Sequence, residues 1–228
     1  MSRKKILVVS CTKGDGKGCN LLESLAGLED DVSLILSTNN SAGLPEVYNR
    51  QLKPDNLIKH DIVLFVHDDV YIDDARLKGK LYTAIEKMKF DIVGLAGSTE
   101  TRIKKPALWH QMSNQSSWTG AVGHPVGDPK DGMIQTTTFG PWPKRCLILD
   151  GLFLAVNLRT VLEKQWKFNT NYQFHHYDIA ACLDANNKKL KLGTYPIYVT
   201  HSSPGLRNYN DKAFQQSQTK FLNEYGNH

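Results

Sequence analysis

The chain has 228 residues, 40% apolar and 22% charged, with 17 Gly and 9 Pro; this is the composition of one soluble globular domain and excludes collagen-like, coiled-coil and largely disordered classes. A net charge of +5, from 28 Lys and Arg against 23 Asp and Glu, suits an anionic substrate or a membrane surface. No recognition helix, zinc finger or aromatic RNA-binding signature accompanies it, so no nucleic-acid partner is expected.

Apolar runs such as 6–9 and 62–66 fall far short of the ~20 residues that span a bilayer. The stretch behind the basic N-terminus is too short for a signal peptide, and Cys11, Cys19, Cys146 and Cys182 form no CxxC pair. The expected location is cytoplasmic, with reduced thiols and any membrane contact peripheral.

In chain order, residues 5–10 read as a strand, 20–28 as a helix, 32–37 as a strand and 44–52 as a helix. Residues 61–66 follow as a buried strand, 73–89 as a helix with Leu77, Leu81, Ile85 and Met88 at helical spacing, and 91–96 as a strand. This βαβ alternation predicts an α/β fold with a mostly parallel central sheet and helices on both faces. Ligands of such sheets bind beyond the carboxyl ends of the strands. Between 98 and 144 the periodicity fails. The segment carries five Gly, five Pro and Trp109, Trp118 and Trp142, and reads as a long loop, of a length uncommon in a compact domain unless functional or disordered. An apolar run at 146–156, helices at 158–166 and 177–185, a strand at 195–200 and a closing helix at 211–225 complete the chain.

The strongest chemical signal is the run 64–70, where a buried strand leads into His67, Asp68 and Asp69. Buried charges are costly unless compensated, and carboxylate oxygens at a strand end are hard ligands for Mg²⁺ or Mn²⁺. The competing reading is a solvated turn in which Asp68 caps the next helix; for a bare Asp-Asp pair it is favoured roughly two to one. The glycine-rich run 13–18 is not a P-loop, because Cys11 stands where the first Gly belongs and Gly18 where the cation-binding hydroxyl belongs. Its N–H groups either face a phosphate or ribose or belong to a plain surface loop. Further on, Asp178 opens a helix and His201 ends a strand; alone, each reads as a first-turn acid and an edge histidine. His175 and His176, beside Tyr172 and Phe174, read as structural.

Taken together, these features resemble the GT-A fold glycosyltransferases, in the family-2, rhamnosyltransferase-like branch found in bacteria and viruses. The resemblance spans nearly the whole chain. Its landmarks are Ser37-Thr38-Asn39-Asn40-Ser41, Val47-Tyr48-Asn49-Arg50, His67-Asp68-Asp69-Val70, residues 149–157 around Asp150-Gly151, residues 177–183 from Tyr177-Asp178, and His201-Ser202-Ser203-Pro204-Gly205. It implies a single Rossmann-like GT-A domain with a nucleotide-binding half, 1–97, and an acceptor-binding and catalytic half, 98–228.

By the same resemblance, Asp69 and His201 are metal ligands, and Asp68 lies beside the donor ribose or reaches the metal through water. His67 occupies the place of the first Asp of the Asp-x-Asp motif, on the nucleotide-sugar side. Ser10, Cys11, Thr12, Asn39 and Asn49 lie where the family cradles base and ribose, although Asn39 equally suits a turn. Asp178 matches the catalytic base of inverting members, with Tyr177 replacing the Glu of their Glu-Asp pair. Asp150 is the reserve base or a donor-sugar contact. Trp118 and Trp142 are expected as acceptor platforms, since sugars stack their apolar faces on aromatic rings; pinning the loop to the core is an equal alternative.

The implied activity is metal-dependent, inverting transfer of a sugar from a nucleotide-diphosphate donor, UDP-sugar favoured, to a glycan hydroxyl, with Mn²⁺ or Mg²⁺ as cofactor. The alternatives are a Mg²⁺-dependent sugar nucleotidyltransferase and a non-catalytic carbohydrate-binding module of the same fold.

Overall fold

A computed structural model describes residues 4–102, 108–127, 132–203 and 211–226. Three strands start the molecule: β1 (Lys5–Cys11), β2 (Val32–Ser37) and β3 (His60–Val66), with helices α1 (Asn20–Ser24) and α2 (Leu44–Asn49) between them. β1 pairs in parallel with both β2 and β3. The interiors of β1 and β3 are wholly buried, which is why they read as unbroken apolar runs rather than alternating ones.

The rest of the first sheet departs from the expected parallel pattern. β11 (Phe153–Asn157) lies antiparallel between β3 and β5 (Ile92–Gly94). β12 (Leu192–Thr194) runs parallel to β5, and β9 (Lys144–Cys146) closes the edge antiparallel to β12. The order is β2-β1-β3-β11-β5-β12-β9. A second sheet has the order β10-β6-β7-β13-β4, built from β4 (Val70–Ile72), β6 (Ala96–Ser98), β7 (Trp118–Pro125), β10 (Ile148–Leu149) and β13 (Val199–His201). Leu95 separates β5 from β6, so the single strand expected at 91–96 serves two sheets.

The segment expected as a loop holds a hairpin instead: β7 pairs antiparallel with β8 (Ile134–Gly140). Its apolar pattern is weak because β8 is Ile-Gln-Thr-Thr-Thr-Phe-Gly and largely exposed, so its β propensity rests on Thr rather than on alternating hydrophobes. β7 is interrupted by Gly120, at φ +97°, where a Cβ would fall 1.8 Å from the Leu95 carbonyl oxygen. The register shifts there, between Gly120 and Ala121, as a glycine-marked close approach predicts.

Helix α3 (Leu77–Glu86) starts later than the expected 73 because Asp73 and Asp74 bind elsewhere. Asp73 accepts the Thr200 hydroxyl at 2.8 Å, and Asp74 accepts the Tyr198 N–H at 3.2 Å and pairs with Lys80. These contacts fasten β13 beside β4. Helices α4 (Leu158–Glu163), α5 (Tyr177–Asn187) and α6 (Lys212–Tyr225) complete the fold. Asp211 caps α6 through the Ala213 N–H at 3.1 Å, and Phe214, Phe221 and Tyr225 bury one face of that helix. Among the described residues, no helix is long and apolar enough to cross a membrane.

Candidate active site

The β13–β4 register sets His201 opposite Val70, and the Ser202 N–H bonds to the Asp69 carbonyl at 3.0 Å. Two distant segments thereby meet: His201 Nε2 stands 3.3 Å from Asp69 Oδ1. His67, at the end of β3, joins them, and one ligand atom from each of His67, Asp69 and His201 lies within 4.8 Å of the others. Pro204 and Gly205 of the expected motif lie outside the described residues.

The three groups shift one another's protonation. Burial pushes the Asp69 carboxyl up, but contact with His201 and the charge of His67 outweigh it and hold it below its ordinary value. Burial likewise lowers His201, and Asp69, with Asp150 behind it, more than offsets that effect. Burial dominates at His67 and lowers it. Asp69 Oδ1 and His201 Nε2 are both buried and lack a hydrogen bond among the described residues. Such orphaned polar atoms call for a partner, and two imidazoles with one carboxylate fit a divalent transition-metal ion better than Mg²⁺, which prefers oxygen donors throughout.

A cleft of about 560 Å³ opens beside the cluster, lined by Cys11, Thr12, Asn40, His67, Asp68 and Asp69, with Gln173 and Phe174 also in its wall. That volume lies in the usual range of small-molecule sites. Cys11 and Thr12, two of the residues expected at the nucleotide, line this cleft, and so does Asn40. The remaining three nucleotide candidates do not line this cleft. Ser10 is fully buried. Asn39 is a turn residue at φ 49°, donating its N–H to the Gly14 carbonyl at 2.7 Å. The Asn49 amide is engaged at both ends by the Phe168 backbone, at 2.8 and 2.9 Å. Gly14 to Gly18 of the glycine-rich run line a smaller adjoining space of about 260 Å³ together with Asp68, Asp69 and Ser202, while most of the run is exposed to solvent.

On the other side of His67 lies a cavity of about 160 Å³ that holds Asp150 and Asp178. Asp178, in the first turn of α5, accepts the Gly151 N–H on Oδ2 at 3.0 Å and the Ile179 N–H on Oδ1 at 2.9 Å. Its carboxyl is nevertheless pushed up to about 7, first by burial and then by the like charge of Asp150. Asp150 accepts the Trp109 indole N–H on Oδ2 at 2.7 Å and the Leu152 N–H on Oδ1 at 3.0 Å. Gly151 is required between them, since a Cβ there would sit 2.5 Å from the Tyr177 hydroxyl and 2.7 Å from the Asp178 Cβ.

The tryptophans divide between these spaces. Trp109, which the sequence reading left without a role, enters the carboxylate cavity. Trp118 packs on Trp109 with ring centres 5.8 Å apart and donates its indole N–H to Ser113 at 3.0 Å. Trp142 lines a separate cavity of about 300 Å³ against the second sheet. Tyr177, noted in the sequence only as replacing the Glu of the resembling family's Glu-Asp pair, also makes contacts at the carboxylate cavity. Its hydroxyl reaches His67 Nε2 at 3.0 Å and the Gly151 carbonyl at 2.7 Å.

No protein-family model matches the sequence, and no curated protein matches it. Among solved structures, the chain is similar to mannosyltransferase PcManGT from Pyrobaculum calidifontis in complex with GDP-Man and Mn²⁺. The identity is 12% and the TM-score 0.51, over 100% of this chain and 66% of that one. It is also similar to GalNAc-T7 with UDP, GalNAc and Mn²⁺, at 9% identity and a TM-score of 0.60, over 97% of this chain. The match spans only 48% of that protein's chain. A197 from STIV aligns over 87% of this chain and 82% of its own, at 12% identity and a TM-score of 0.48. With its two sheets and the strand-end cleft, the chain has a GT-A glycosyltransferase-like fold.

Proposed function

We propose that the protein is a metal-dependent glycosyltransferase that moves a sugar from a nucleoside diphosphate to a hydroxyl of a glycan with inversion. The observation that carries this reading is the convergence of His67, Asp69 and His201 within 4.8 Å, between a cleft large enough for a nucleotide and a cavity holding a carboxyl pushed up to about 7. Both similar structures with TM-scores above 0.5 contain a nucleotide and Mn²⁺, which supports the same assignment.

In this reading Cys11, Thr12 and Asn40 receive the nucleoside, and His67, Asp69 and His201 hold the cation. Mn²⁺ suits that mixed nitrogen and oxygen set better than Mg²⁺. When bound, it supplies positive charge against the diphosphate as that group leaves. Asp178 takes the proton of the acceptor hydroxyl while its oxygen bonds to the anomeric carbon and the bond from that carbon to the diphosphate breaks. A carboxyl with a value near 7 is well matched to a base at neutral pH. Asp150 helps set that value, through its charge on Asp178. Trp109 orients Asp150, and Trp118 packs against Trp109. A UDP-sugar is the favoured donor, from the sequence resemblance.

The test is a screen of UDP- and GDP-sugars with Mn²⁺, reading nucleoside diphosphate release with and without glycan acceptors. Metal-dependent release is the expected result. Tight nucleotide binding with no release from any donor would favour the carbohydrate-binding module, and formation of a sugar nucleotide from a nucleoside triphosphate and a sugar 1-phosphate, with release of pyrophosphate, would favour the nucleotidyltransferase.

A further inference from the structure

We infer that Tyr177 is a positioning residue that fixes the tautomer of His67, leaving Nδ1 as the nitrogen with a free lone pair, and joins the cation centre to the loop that holds Asp178. A tyrosine hydroxyl has one proton to give and can also accept. The Gly151 carbonyl, 2.7 Å from the Tyr177 hydroxyl, can only accept, so the proton goes there. The remaining contact, 3.0 Å to His67 Nε2, is a hydrogen bond only if Nε2 carries hydrogen. A neutral imidazole has one N–H, which leaves Nδ1 bare.

The surroundings hold this chain of bonds in place. Tyr177 is buried at 3% exposure, with its ring against Phe168 and Tyr48 at 6.0 and 6.2 Å. Gly151 contributes both ends of the link, since its carbonyl takes the Tyr177 proton and its N–H bonds Asp178 Oδ2 at 3.0 Å. Metal-binding histidines depend on a partner at the other ring nitrogen to fix tautomer and orientation, and loss of that partner costs about 10–100-fold in metal affinity. A tyrosine in place of the acid that the resembling family carries before its base thus acquires a physical reason.

The tautomer claim stands on the protein alone; only its consequence for metal binding rests on the function proposed above. Long-range ¹H–¹⁵N correlation of histidine side chains in the metal-free full chain reads the tautomer directly, with the His67 signal assigned by its loss in His67→Gln. The wild type should show protonated Nε2. Tyr177→Phe should populate both tautomers and weaken Mn²⁺ binding, followed by electron paramagnetic resonance without nucleotide, by about 10–100-fold. Tyr172→Phe, which removes another buried tyrosine hydroxyl bonded to Glu224 at 2.9 Å, should change neither. Protonated Nδ1 in the wild type, or a Tyr177→Phe protein with tautomer and Mn²⁺ affinity intact, overturns the inference. The wild-type spectrum decides the tautomer even if the variant fails to fold. A wild type with the expected tautomer and no affinity for Mn²⁺ would instead refute the cation reading and leave the Tyr177 assignment standing.

Discussion

Asp69 and Asp178 are both half-buried aspartates at the carboxyl side of the sheet, and their surroundings drive them in opposite directions. Asp69 faces two imidazoles and stays ionised. Asp178 shares a small cavity with Asp150, and burial raises it to about 7 despite two backbone N–H bonds. The lesson is that placement, not residue type, separates a ligand from a base.

Substitutions at the two aspartates should break the contrast most sharply. Asp69→Ala removes a direct ligand, so Mn²⁺-dependent nucleotide binding should fall by more than the ~10–100-fold that losing a supporting partner costs, as read by calorimetry. Asp178→Asn should leave that binding within about twofold and reduce sugar transfer by roughly 10²–10⁴-fold, the usual contribution of a general base. If Asp178→Asn retains transfer, Asp150 becomes the base to test. Gly151→Ala drives a methyl into the Tyr177 hydroxyl and the Asp178 Cβ. Overpacking of this kind costs about 1–3 kcal/mol, so both the unfolding midpoint and transfer should drop.

pH sharpens the comparison. Transfer should rise with pH through about 7 as Asp178 loses its proton, and level off above it. Stability has the opposite sign. The folded carboxyl binds its proton more tightly than the unfolded one, so this group's contribution is fully present below the unfolded value near 4 and is lost as pH rises to about 7. Asp178→Asn should remove that slope from unfolding midpoints measured between pH 4 and 8. The smallest effect belongs to Trp109→Phe, which deletes the 2.7 Å bond to Asp150. A few-fold loss of transfer with unchanged Mn²⁺ affinity is expected.

How much of this was legible follows from the range of the interactions. β1 and β3 were readable because a strand buried on both faces leaves an uninterrupted apolar run, and β2, a half-buried edge strand, was readable from its Val, Leu and Ile residues. The hairpin of β7 and β8 was not, because its Thr- and Gly-rich strands carry little apolar alternation. The run into His67, Asp68 and Asp69 was visible as buried charge needing compensation, whereas the meeting of Asp69 with His201 depends on the β13–β4 register, which no local pattern encodes. His67 could be located but not assigned to the cation cluster for the same reason. Asn49 shows the converse: its type suited a nucleotide contact, but its amide is taken up by Phe168, far away in the chain.

The most direct test of the central claim is calorimetric titration of UDP and GDP into the wild-type protein with Mn²⁺ and again with a chelator. The cation cluster beside the cleft predicts saturable binding of at least one diphosphate with Mn²⁺ present and its loss when the metal is withdrawn. Binding of equal strength in the chelator, or no binding of either nucleotide under both conditions, would contradict it.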